Sequence, residues 1–167
     1  MKKAWLVLVF LGLVAPLPAQ IPSGVHSADD LGRVFYKALT SREFGMIQYL
    51  LAPPTLYPAI SPEETGRRHP DELRQLAEVV HQRQEANFQR IIRSADLRDL
   101  NLSQFQYQQT DIQALPGPQS LLYGLGVQLT YQSKNYFLTL IAARHKGRWY
   151  LLEISLPEFG VVFGTED

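Results

Sequence analysis

Residues 121–156, LLYGLGVQLTYQSKNYFLTLIAARHKGRWYLLEISL, decide the fold of this chain. Their apolar positions recur every second residue, the spacing of a strand whose side chains alternate between two faces. Ser133-Lys134-Asn135 and His145-Lys146-Gly147 interrupt the pattern with turn residues and divide it into three strands, 121–132, 136–144 and 148–156. Gly124 and Gly126 inside the first of these predict a bulge or sharp bend. Upstream, Phe105, Tyr107, Gln109 and Asp111 alternate with Gln104, Gln106, Gln108 and Thr110, which predicts a fourth strand with the first set on one face. Leu115-Pro116-Gly117-Pro118 turns it into the next.

Everything before this region has helical spacing. Ser27 caps a helix with Asp29 and Asp30 in its first turn, and Leu31, Val34, Phe35, Ala38 and Leu39 form its apolar stripe. A second short helix over 41–51 carries Phe44, Ile47, Leu50 and Leu51, and Pro53-Pro54 stop it. Residues 53–70 hold five prolines and a glycine and read as irregular. A long helix follows over 71–95, with Leu73, Leu76, Ala77, Val80, Phe88, Ile91 and Ala95 on one face. Gln84 falls in the middle of that face, where an apolar residue belongs, and His81 on its flank. Helices followed by antiparallel strands make an α+β fold: N-terminal helices packed on a strongly bent sheet of four or more strands.

Composition narrows the function classes. Lys2 and Lys3 precede an uncharged apolar run from Ala4 to Val14, then Pro16, Pro18 and Ala19, the pattern of a cleavable signal peptide. The run is shorter than the roughly 20 residues a membrane helix needs. Residues 1–19 are therefore expected to be removed, placing the protein in a bacterial periplasm or outside the cell. Residues 20–27 follow as a disordered lead-in, and 28–167 as one domain with a tail from about 157. Loss of Lys2 and Lys3 leaves 14 basic residues against 16 acidic, which disfavours nucleic acid and anionic membranes as partners. The absence of cysteine excludes disulfides, thiol catalysis and cysteine zinc sites.

Two stretches, LGRVFYKALTSREFGMIQYLLAP (31–53) and NYFLTLIAARHKGRWYLLEIS (135–155), resemble the paired N-terminal helices and the last hairpin of nuclear transport factor 2-like domains. The resemblance implies a cone, with a bent antiparallel sheet wrapped around a helix and a pocket at the open end. It also implies frequent sheet-to-sheet homodimers. Members include ketosteroid isomerase-like and dehydratase-like enzymes alongside non-catalytic binding modules, so the fold does not select a function.

Proton-transfer chemistry in such a pocket needs a carboxylate or histidine of shifted pKa and a donor for the developing oxyanion. Asp111 or His81 as base and Tyr107 as donor are the candidates, with Gln84 as an orienting amide. Gln84, His81 and Tyr107 are also the candidate ligand-binding residues. A buried amide must find partners, so Gln84 either lines a wet cavity or bonds to sheet backbone. His26, His69, His81 and His145 lack zinc-site spacing; His81 and Glu85 alone stand one helical turn apart, and no metal or other cofactor is expected. Arg67-Arg68-His69 reads as a solvated basic cluster.

Apolar residues occupy both faces of the last two strands. Tyr136, Leu138, Leu140 and Ala142 oppose Phe137, Thr139, Ile141 and Ala143, while Trp149 and Leu151 oppose Tyr150, Leu152, Ile154 and Leu156. Such a sheet needs a cover on its outer side. The tail with Phe159, Val161, Val162 and Phe163, or a second subunit in a homodimer, would provide it. The expected function is an exported, non-catalytic binding or accessory domain for a small apolar or mixed-polarity ligand. The alternative is an isomerase- or dehydratase-like enzyme.

Overall fold

A computed structural model describes residues 23–116 and 121–155. The signal segment, the start of the lead-in and the tail from 156 lie outside the described residues, as does part of the Leu115–Pro118 turn. Four α-helices precede four strands: α1 (Ala28–Ser41), α2 (Tyr57–Ile60), α3 (Pro62–Thr65), α4 (Pro70–Asp96), β1 (Gln106–Ala114), β2 (Leu122–Tyr131), β3 (Lys134–His145) and β4 (Arg148–Ile154). The strands form one antiparallel sheet in the order β1-β2-β3-β4. The architecture is α+β.

Local chemistry sets the element ends. Ser27 Oγ accepts the Asp30 N–H at 3.0 Å and caps α1. His69, read from sequence as part of a solvated basic cluster, is instead the N-cap of α4, with Glu72 returning to accept the His69 N–H. Gln132 and Ser133, then Lys146 and Gly147, have positive φ and make two-residue hairpin turns matched to strand twist. Residues 44–50 form a 3-10 helix, and the proline-rich segment is more ordered than its composition predicts. Pro54, Pro58 and Pro62 each sit in the first positions of a short helical turn, where a missing N–H costs nothing.

The sheet has two apolar cores. On its inner face Leu125, Val127, Leu129, Leu138, Leu140 and Leu151 pack against Leu31, Phe35 and Leu39 of α1, Ile47 and Leu50 of the 3-10 helix, and Phe88 and Ile91 of α4. On the outer face Ala143 and Tyr150 join Leu56, Tyr57, Leu73 and Ala77. The chain's own α2 and the first half of α4 thus cover part of the outer side, the role expected of a tail or a second subunit. The fit is imperfect, because the Tyr57 hydroxyl is buried without a hydrogen-bond partner.

α4 belongs to both cores, so it must pass the edge of the sheet at β4. Gln84 sits at that passage. Its Nε2 donates to Leu152 O at 2.7 Å and its Oε1 accepts the Ile154 N–H at 2.6 Å. Asn87 Nδ2 donates to Ile154 O at 2.9 Å. Gln84 therefore bonds to sheet backbone, the second of its two expected roles. A β-bulge in β4 brings these groups outward: Ile141 pairs with Glu153 but Ala142 with Leu151, leaving Leu152 as the extra residue. The bulge also turns Ile154 to the inner core, correcting its expected place on the face of Tyr150.

The remaining β4 edge is sealed in the same way. Val25 exchanges two backbone hydrogen bonds with Trp149, and the Ala52 N–H donates to Leu151 O. His81 Nε2 lies 3.2 Å from Ala52 O and fixes that segment to α4. Because each strand group stripped of its partner inside the fold costs roughly 1–3 kcal/mol, Gln84→Leu should lower the unfolding free energy by about 3 kcal/mol. A urea titration checks this; a loss below about 1 kcal/mol would mean that the Gln84 bonds contribute little.

Candidate functional site

The residues singled out from sequence fall in three separate places. His81 and Gln84 lie at the β4 edge, where their polar atoms meet backbone groups. Tyr107 and Asp111 are on β1, the opposite edge strand of the sheet. These last two do not share a face. The register slips between Tyr107 and Gln109, so Tyr107 pairs with Leu129 toward the inner core while Asp111 pairs with Gly126 and points outward. A bulge adds one residue, and one residue exchanges the faces of everything after it.

Tyr107 belongs to a polar seam between α1 and β1. Its hydroxyl donates to Asp29 Oδ1 and accepts from Thr110 Oγ1 at 2.7 Å. Arg33 Nε donates to Asp29 Oδ2 at 2.6 Å, and the guanidinium stands 4.6 Å from the Tyr107 ring centroid, a cation–π distance. The Tyr107 hydrogen bond, aided by Arg33, holds the Asp29 carboxyl below its ordinary value. Burial, then the bond to Asp29, pushes the Tyr107 phenol up to about 12. A phenol held protonated in this way serves as a hydrogen-bond donor, and its donor is already directed at Asp29. Sequence reasoning assigned Asp29 to the helix dipole alone and missed Arg33 and Thr110. The (i, i+4) spacing of Asp29 and Arg33 was the available signal.

Gly32 makes the seam possible. A Cβ there would stand 1.9 Å from Thr110 Oγ1 and 3.2 Å from Thr110 Cβ, so only glycine lets the helix approach the strand this closely.

The outer face of β1, β2 and β3 is a different surface. Asp111 there accepts from Gln109 Nε2 at 2.9 Å and from Gln128 Nε2 across the strand pair. Gln108 Nε2 reaches Thr130 Oγ1 at 2.9 Å. Beside this network Gly126 separates Asp111 from Thr139, and Gly124 separates Gln113 from Ile141. Pairing of β2 with both neighbours runs unbroken through the two glycines, so the bulge or bend expected there is absent. They leave a shallow trough whose floor is backbone.

Other features carry less. A cavity of about 250 Å³ is lined by Ile60, Ser61, Pro62, Glu63 and Glu64, and an open groove of about 510 Å³ by Arg68, Glu72, Gln75, Leu76 and Val79. Neither includes a residue chosen from sequence. Among the described residues no group of three or more His, Asp or Glu is placed to hold a metal ion, and no helix is long and apolar enough to cross a membrane.

Two outcomes test the seam. Gly32→Ala should cost about 2 kcal/mol through overpacking, and adding Thr110→Ala should return part of that loss. Additive losses in thermal unfolding would place the clash elsewhere. Asp29 has a depressed folded pKa, so its contribution is present above the ordinary carboxylate range and lost as pH falls through the folded value. Tyr107→Phe removes the largest cause of that depression. The variant should therefore be less stable than the parent at about pH 6, with the gap closing toward about pH 2. A gap independent of pH in parallel urea titrations would contradict the coupling.

A scan against protein-family models and searches of the curated proteins and of the solved structures found no match to this chain.

Proposed function

We propose that the chain is an exported, non-catalytic binding module that recognises its partner through the outer face of β1, β2 and β3. The observation that carries this reading is how the polar groups are used. His81 and Gln84 make contacts to backbone, and Tyr107 bonds to Asp29 and Thr110, whereas the outer face presents an ordered array with open space above it. A general base needs a free lone pair within reach of a substrate. Asp111 alone has that freedom, and it stands on an exposed face with Tyr107 on the other side of the sheet. A surface of that kind favours recognition over proton transfer.

Export rests on the Lys2-Lys3 start, the apolar run and the Ala19 cleavage site. The nuclear transport factor 2-like cone is part of the same reading. It is supported by the packing of α1 and the second half of α4 against one face of an antiparallel sheet. Homodimer formation is the form of recognition in which a second copy occupies the outer face.

Native mass spectrometry of the protein isolated from its source cells tests the proposal. The expected spectrum shows a stoichiometric added mass, either a small molecule or another chain, that is absent from Gly126→Val. An unaccompanied monomer in both samples overturns the reading.

A further inference from the structure

Gly124 and Gly126 lack the reasons that usually place glycine inside a strand. Glycine in the middle of a strand costs roughly 0.5–1 kcal/mol relative to alanine. Neither residue has positive φ, and neither sits at a register shift. Among the described residues, a Cβ at Gly126 would meet only Asp111 Cβ, at 3.8 Å, and one at Gly124 nothing nearer than 3.7 Å. Both are ordinary contact distances. The fold would accept side chains at both positions, and the chain omits them on the same face, two residues apart. The remaining reason for such a pair is close approach of a group from outside.

The surroundings define that group. β2 pairs on both sides through 122–131, so its backbone is spent on the sheet and has no ladder to offer another strand. Recognition must come from side chains. An ionised carboxylate accepts about four hydrogen bonds, and Gln109 and Gln128 supply two to Asp111. The same two bonds fix the carboxylate plane and turn both glutamine carbonyl oxygens into oriented acceptors. Thr139 adds a hydroxyl across the glycine floor, and Phe137, paired with Gln128, adds an apolar ring face.

The array is rich in acceptors, carries one negative charge and, among the described residues, has no cation bonded to Asp111. An anion is disfavoured there, and an apolar ligand would strand the carboxylate. The complementary chemistry is a neutral ring carrying adjacent hydroxyls, with an apolar C–H face to lie on glycine backbone and Phe137. The geometry points to a saccharide site: a neutral sugar unit seated over Gly124 and Gly126, with neighbouring hydroxyls donating to Asp111 and to the Gln109 and Gln128 carbonyl oxygens. This assignment rests on the outer-face reading above and names the class of its ligand.

Saturation-transfer NMR with cellobiose, maltose and chitobiose, paired with light scattering to report oligomeric state, tests it on the full chain. At least one disaccharide should receive saturation. Gly126→Val, which fills the trough, and Asp111→Asn, which removes the charged acceptor, should each weaken its binding by about tenfold or more. Gly126→Val should melt no lower than the parent, since valine suits a strand, so lost binding there is not lost folding. Transfer to none of the three sugars, or transfer undiminished by both variants, overturns the assignment. If no sugar binds but a dimer dissociates on Gly126→Val, a second copy fills the trough; the saccharide site is then wrong and the outer-face reading stands. A monomer that binds no sugar overturns both.

Discussion

A helix that passes from one face of a sheet to the other must cross an edge, and at an edge it meets backbone rather than side chains. α4 does this at β4. An apolar residue at the crossing would leave strand N–H and C=O groups without partners; an amide satisfies one of each. Gln84 and Asn87 are three apart, on one side of the helix, and between them take Leu152 O, Ile154 N and Ile154 O. The two cores are joined through these bonds. Before the crossing α4 contributes Leu73 and Ala77 to the outer core, and after it Phe88, Ile91 and Ala95 to the inner one.

The same constraint accounts for the ordered 52–66 segment. Once α4 has carried one end of the structure to the outer side, the apolar residues of β3 and β4 there require a lining. Leu56, Tyr57 and Ile60 supply it through short turns pinned at Ala52 by His81 and by Leu151 O. The pin is polar and local, whereas the lining is apolar and leaves the Tyr57 hydroxyl unpaired. Of the packed regions described, this is the one assembled least closely.

Much of this could be read from the chain before the structure. The helix-then-strand order, the caps at Ser27 and the long helix follow from periodicity alone, and Gln84 announced itself as a polar residue where burial demanded an apolar one. What could not be read are the slips of a single residue. The bulges at Gln108 and Leu152 leave composition and spacing unchanged, yet they exchange the faces of Asp111 and Ile154. Face assignments made by counting hold only until the first bulge. The α1–β1 seam escaped for a related reason: Asp29 and Tyr107 are 78 residues apart, and only the approach permitted by Gly32 brings them together. The helical turns around Pro54, Pro58 and Pro62 were hidden because proline counts as a breaker everywhere except in the first positions of a helix.

The sealing of β4 has a bearing on how this sheet can grow. Open-ended strand addition requires two free edges, one to receive and one to offer. Val25, Ala52, Gln84 and Asn87 occupy the β4 side, and among the described residues β1 pairs with β2 alone. A sheet with a single available margin can be extended once, by one partner meeting it margin to margin, and the union then presents no further margin. Edge pairing in this protein therefore terminates in a closed pair and cannot propagate into a fibre.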